Sequence, residues 1–212
     1  MGNEKNEYAH IFDIDDTLVG RGLPVRLGAL AVGLLRQRTS PPVKLAEIAQ
    51  MDIQHKSVET PISSLAEMIS LWFHSKRKVL PGVYEGLHAL RDDGWHIYGS
   101  TGRSNKRSWV DMTTETLREG GVLELFADIF YTPDGVRTAF SKAHVLQQLI
   151  QQYDHVQFDE DDPRTAMVLA GLFQDVQINL VHYGTTGLLV AHSELERFPN
   201  LRRVAVIGNE HK

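Results

Sequence analysis

The chain has 212 residues, enough for one domain with an insertion or two small ones, and enough to bury a substantial core. Its 22 Lys and Arg against 27 Asp and Glu give a net charge of −5, which argues against a general nucleic-acid binder. The absence of cysteine excludes disulfides, thiolate metal sites and cysteine nucleophiles. The polar N-terminus lacks a signal-peptide core and no apolar run reaches a membrane span, so the expectation is a cytoplasmic protein with no membrane contact.

The first informative stretch is HIFDIDDTLV, residues 10–19. Ala9 to Asp13 scarcely alternates in polarity, as expected of a strand buried on both faces in a parallel sheet. It runs directly into Asp13, Asp15 and Asp16. From about Gly20 to Lys78 the pattern changes to helical periodicity with no convincing strand. Helices are predicted over 25–36 and from Pro42 or Val43 to Met51. A third is predicted to start with Thr60 as cap and Pro61 in the first helical position, with Ile62, Leu65, Ile69 and Trp72 sharing a face. HSKRKVLPG (74–82) then leads back out of the segment.

Beyond it, short apolar runs recur at 95–100, 128–132, 155–159, 178–183 and 203–208. Between most of them lie helical patterns: Val83, Leu87 and Leu90 up to the DDG of 92–94, then Val110–Gly120, Lys142–Gln151 and Thr165–Phe173. This alternation predicts βαβ units and an α/β, Rossmann-like three-layer sandwich with a mainly parallel sheet. The expected organisation is a core of residues 1–19 and 79–212, interrupted by a small all-helical domain of residues 20–78.

The aspartates need an explanation beyond the liking of Asp for turns. Residues two apart on a strand point the same way, separated by about 6–7 Å of rise. At the carboxyl end of a parallel strand, Asp13 and Asp15 would face the usual ligand crevice. Two such carboxylates repel, and one tends to stay protonated unless a cation joins them; hard oxygen ligands suit Mg2+. A calcium loop does not fit, because Leu18 and Pro24 stand where its Gly and Glu belong. P-loop, dinucleotide, nucleophile-elbow and HExxH patterns are absent.

A hydrophobic strand followed by DIDDTL resembles the first motif, DxDx(T/V), of the haloacid dehalogenase superfamily of phosphohydrolases. The resemblance implies three further motifs, each with a counterpart in this sequence. WHIYGSTGR supplies a strand-ending hydroxyl, Thr101, followed by Gly102 and Arg103, with Ser100 a neighbouring alternative. FSKAHVLQQLI supplies Lys142, with Ala143 where the family often has Pro. HVQFDEDDPRTA supplies Asp159, Glu160, Asp161 and Asp162, of which Asp161 aligns with the metal-binding acid and Asp162 is the alternative.

The resemblance implies that Asp13 attacks phosphorus and forms an aspartyl-phosphate, while Asp15 serves as general acid and then base. It implies Mg2+ held by the Asp13 carboxylate, the Asp15 carbonyl and Asp161. Thr101, Gly102 and Lys142 would bind the phosphoryl group, and Arg103, Arg21 and Arg26 would be substrate contacts. Haloalkanoate dehalogenases lack an acid at the position of Asp15, so its presence favours phosphate esters. The inserted segment stands where the family carries a cap, with a dimer interface as the competing explanation. The expectation is therefore a Mg2+-dependent phosphatase acting on a small phosphorylated substrate, with a nucleotide or a polynucleotide end left open. A phosphoglucomutase-like phosphotransferase and a non-catalytic binding protein on the same fold are the rival readings.

Overall fold

The apolar run that opens the chain forms β1 (Asn6–Phe12), near the middle of a six-stranded sheet seen in a computed structural model. The structure describes residues 6–20, 48, 53, 55–182 and 197–205. Ile11 joins the hydrophobic cluster on one face of the sheet and Phe12 that on the other, and neither is accessible to solvent. This two-sided burial is why the run does not alternate.

The other strands are β4 (His96–Ser104), β5 (Phe126–Thr132), β6 (Tyr153–Glu160), β7 (Gln177–His182) and β8 (Leu201–Ala205). All pairings in the sheet are parallel and the order is β5-β4-β1-β6-β7-β8. From β1 the chain builds outward through β4 and β5, then crosses back to β6 beside β1. That reversal opens a crevice at the carboxyl ends of β4, β1 and β6.

Helices cover both faces, giving three layers. On one side, α4 (Thr138–Leu149) and α5 (Pro163–Leu172) pack Leu146, Leu149 and Leu169 against Ala9, Ile11 and Phe158. On the other, α2 (Val83–Asp92) and α3 (Arg107–Glu119) bring Val83, Leu87 and Leu117 against Phe12, Ile14 and Leu18. The α/β sandwich expected from the sequence is the fold observed. The described residues contain no helix long and apolar enough to cross a membrane.

The inserted segment leaves and returns through a two-stranded antiparallel ribbon, β2 (Val19–Gly20) with β3 (Lys78–Val79). A Cβ at Gly20 would lie 2.2 Å from a Leu80 methyl, so any larger residue there would have to push that side chain aside. Its last helix, α1 (Leu65–His74), starts four residues later than the Thr60–Pro61 signal suggests. Ser64 accepts from the Glu67 N–H at 3.1 Å, and Glu67 reaches back to the N–H and hydroxyl of Ser63. This reciprocal cap satisfies more open donors than Thr60 alone could. The predicted face is also not a buried one: Leu65, Ile69 and Trp72 are exposed, together with Met68 and Phe73. Of the helices predicted over 25–36 and up to Met51, the first lies outside the described residues and the second has only Ile48 within them, in helical conformation; Arg21 and Arg26 also lie outside.

Not all of the segment stands apart from the sandwich. Ile48 is fully buried in the cluster that holds Ala9, Ile11 and Phe158. Val58 donates its N–H to the Asn105 carbonyl at 2.9 Å and accepts from the Arg107 N–H at 3.0 Å. His55 Nδ1 donates to the Tyr131 carbonyl at 2.9 Å.

Candidate active site

Asp13 follows β1 and continues its pairing, donating its N–H to the Asp159 carbonyl at 2.8 Å. The chain then turns sharply. The N–H groups of Leu18 and Val19 both reach the Ile14 carbonyl, at 3.1 and 2.9 Å. Asp16 takes a left-handed φ of 59°, which Asp tolerates better than most residues. The turn leaves Asp13 buried and Asp15 half-buried above the strand ends.

Four consecutive acids end β6 and open α5, and each does something different. The pleat sends neighbours to opposite faces. Asp159 accepts from Asn179 and pairs with His10, both at 2.7 Å, on one side. Glu160 faces the other way and accepts from Lys142 Nζ at 2.6 Å. Asp161 joins Asp13 and Glu160 in a group whose carboxylate oxygens lie within 4.8 Å of one another, the one such group among the described residues. Asp162 caps α5, accepting from the Arg164 N–H at 3.3 Å and the Thr165 hydroxyl at 2.8 Å. Of the two alternatives for a metal-binding acid, the structure brings Asp161 to Asp13 and commits Asp162 to the helix.

Lys142, on the second turn of α4, donates to Asp13 at 2.6 Å as well as to Glu160. All three side chains are almost fully buried. Burial would lower the Lys142 pKa, but Asp13 and then Glu160 outweigh it and push it up, so the amine is charged. The carboxyls move up as well. Burial raises Asp13, with Lys142 opposing it and Asp15 adding to it. Burial raises Glu160 to about 8, against Lys142 and with help from Asp13. Asp161 rises well above the ordinary range through burial and the charges of Asp13 and Glu160. Two buried carboxyls and a half-buried one thus share one ammonium, and a dication would balance the remainder. Their oxygens are the donors Mg2+ takes, so the residues fit that ion.

Thr101 is buried within β4, three residues before its end and where the pairing with β5 shifts register, not at the strand end as the sequence suggests; its hydroxyl accepts from the Arg103 N–H at 3.1 Å and its carbonyl from Thr132 at 2.8 Å. Ser100 is equally buried, and the register Phe12↔Gly99 brings it beside Asp13. Gly102 lies close under α4, where a Cβ would meet Thr138 at 3.1 Å.

Asp15 is gripped by two guanidiniums. Arg103 binds it with both arms, Nε to Oδ2 at 2.9 Å and Nη2 to Oδ1 at 2.6 Å, while its Nη1 donates to Thr113 at 2.9 Å. Arg77, just before β3, donates to the same Oδ1. Burial would raise the Asp15 carboxyl, but Arg103 and then Arg77 override it and hold it far below the usual range. Beside them, His74 is brought down to about 4 by burial and by Arg77, and its Nδ1 donates to the Ser70 carbonyl at 2.8 Å. The sequence marks Arg103, next to the strand-ending hydroxyl, but nothing in HSKRKVLPG marks Arg77. Its contact with Asp15 spans 62 positions. Glu160 is visible in the sequence only as one acid among four.

A cavity of about 720 Å³ lies elsewhere, between β5 and residues such as His55, Lys56, Thr114 and Gln148, and includes none of the acidic residues gathered around Lys142.

No family model and no curated protein matches this sequence. Solved structures do. A haloacid dehalogenase-like family hydrolase from Streptococcus pneumoniae superposes with a TM-score of 0.54 at 14% identity, over 93% of this chain and 94% of that one. A protein predicted to be a phosphoglycolate phosphatase, from Haemophilus somnus, gives 0.51 at 16% identity over 86% and 88%. An L-2-haloacid dehalogenase gives 0.56 at 13% identity over 93% and 94%. The fold is that of the haloacid dehalogenase-like proteins.

Proposed function

We propose that the protein is a Mg2+-dependent phosphatase that hydrolyses a phosphate monoester through an aspartyl-phosphate on Asp13. The observation that carries this reading is the convergence of Asp13, Lys142, Glu160 and Asp161 at the carboxyl ends of β1 and β6. The likeness of fold to a protein predicted to be a phosphoglycolate phosphatase supports it, although a dehalogenase shares that fold equally.

In this reading Asp13 attacks phosphorus in line with the leaving oxygen. Lys142, already on Asp13, draws charge from the phosphoryl group as it transfers. The hydroxyl and N–H groups of Thr101 and Gly102, near the end of β4, hold a phosphoryl oxygen. Mg2+ would be held by Asp13, Asp161 and the Asp15 carbonyl, where it would offset charge on nucleophile and phosphate. Asp15, protonated from solvent once it has left the guanidiniums, delivers that proton to the leaving oxygen and later takes one from the water that cleaves the acyl phosphate. The carboxylate seen in the guanidinium grip is the form the second step needs. Holding nucleophile and phosphorus in line contributes on the order of 7–11 kcal/mol to lowering the barrier.

The test is hydrolysis of p-nitrophenyl phosphate with and without Mg2+, for the wild type and for Asp13→Asn. Turnover that needs Mg2+ and is lost in the variant supports the reading. Turnover that survives in Asp13→Asn, or none with any phosphate ester, removes it. Release of chloride from 2-chloropropionate instead would assign the dehalogenase chemistry.

A further inference from the structure

Asp15 poses a problem for the reading just given, on which this inference rests. A residue that delivers a proton to the leaving oxygen needs an oxygen of its own facing that group. Here Oδ2 is held by Arg103, and Oδ1 is held by Arg103 and Arg77 together. The two guanidinium side chains are nearly inaccessible, at 1% and 4% exposure, while the Asp15 side chain they hold is 21% exposed. The carboxylate is therefore the member of the trio that reaches solvent, and the cations are shielded from it.

Guanidiniums stay charged at any working pH and match the spacing of carboxylate and phosphoryl oxygens. Drawing Asp15 away toward a neutral leaving group would take its counter-charge from two buried cations, a strongly unfavourable change. A leaving group with an oxyanion of its own would take the place of the carboxylate on the same donors and free Asp15 to face the ester oxygen. The donors are already arranged for this. Arg103 is fixed at its third nitrogen by Thr113, and Arg77 arrives independently from the return of the inserted segment.

We infer that Arg77 and Arg103 form an oxyanion subsite for the leaving group, so that the substrate is a phosphate monoester carrying a second acidic group, a carboxylate or another phosphoryl. In the free protein Asp15 occupies that subsite as an internal stand-in.

Matched substrates test this. 3-Phosphoglycerate is compared with glycerol 3-phosphate, which has a hydroxymethyl group in place of the carboxylate. Propane-1,3-diol bisphosphate is compared with its monophosphate. p-Nitrophenyl phosphate with Mg2+ serves as the reference for the hydrolase itself. The expected wild-type result is at least about a hundredfold higher kcat/KM for the acidic member of one pair or both, as for a site whose polar groups are otherwise left unpaired. The pair that shows it identifies the carboxylate or the phosphoryl as the recognised group. In Arg77→Met the ratio, measured within the variant, should fall at least tenfold, with Arg77→Lys recovering part of it. Wild-type ratios near one, with p-nitrophenyl phosphate still hydrolysed, overturn the subsite and leave the phosphatase reading intact. A strong wild-type preference that Arg77→Met does not change overturns the assignment of Arg77. If no ester is hydrolysed, the phosphatase reading fails and the subsite fails with it.

Discussion

Replacing Glu160 with Gln should make the metal-free protein less stable in acid and more stable in mild base. In the folded chain the Glu160 carboxyl is pushed up to about 8 from 4.5. A group raised in this way stabilises the fold fully below its unfolded value, and that contribution is lost as pH rises toward about 8. One proton over that window sets a ceiling of about 5 kcal/mol, at about 1.4 kcal/mol per pH unit. Sharing of the charge with Lys142 and Asp13 should bring the observed change below that ceiling. The amide introduced by Glu160→Gln would escape that loss but has a single oxygen. Glu160 now accepts from the Asp162 N–H at 3.1 Å with one oxygen and from Lys142 at 2.6 Å with the other. Losing one acceptor costs about 1 kcal/mol at every pH. The two stability curves should therefore cross between pH 5 and 8. Urea unfolding in EDTA across that range measures both. Parallel curves, or a variant less stable at pH 8 by the same amount as at pH 5, would refute the account of a surplus of buried acid around Lys142. Saturating Mg2+ should restore the wild type at pH 8, by about 2.7 kcal/mol at a hundred times its Kd, and the variant by less.

Asp161→Asn should raise the Mg2+ concentration needed for half-maximal turnover at least tenfold, measured by metal titration. Asp162→Ala should leave that requirement unchanged and lower the unfolding free energy by about 1 kcal/mol, as for a lost helix cap. Asp13→Asn should abolish the covalent phosphoenzyme seen by mass spectrometry after acid quench. His74 is neutral when folded, with its pKa brought from 6.5 to about 4, so the unfolded chain takes up the proton first as pH falls. Stability should decline from about pH 6.5 to 4, and His74→Gln should flatten that part of the profile.

The central strands are legible because burial on both faces leaves an unbroken apolar run, as at Ile11 and Phe12. The position of Asp13, the proposed nucleophile, is legible for a related reason. A charge that ends such a run must lie where the strand ends, and Asp13 does. The acidic stretch can be located in the sequence but not divided. Which of Asp159, Glu160, Asp161 and Asp162 faces Lys142 depends on the pleat of β6 and on where α5 begins, and a shift of one residue would exchange their roles. The start of α1 is misplaced by the sequence because Pro61 looks like a first helical residue, while the decisive contacts are local hydrogen bonds of Ser63, Ser64 and Glu67. Arg77 cannot be found from the sequence at all. Its significance lies in a contact made only after the ribbon of β2 and β3 brings residue 77 back beside the first strand.

Ile48 has a consequence for anyone who would trade one such insertion for another. Its side chain is part of the oily filling shared by β1, β6 and α4, and Val58 is stitched to the backbone at Asn105 and Arg107. The piece between Gly20 and Lys78 is thus no detachable cassette. Excising it and sealing the ends would open a void in that filling, so a chimera keeps its foundation sound only if Ile48 and Val58 stay behind.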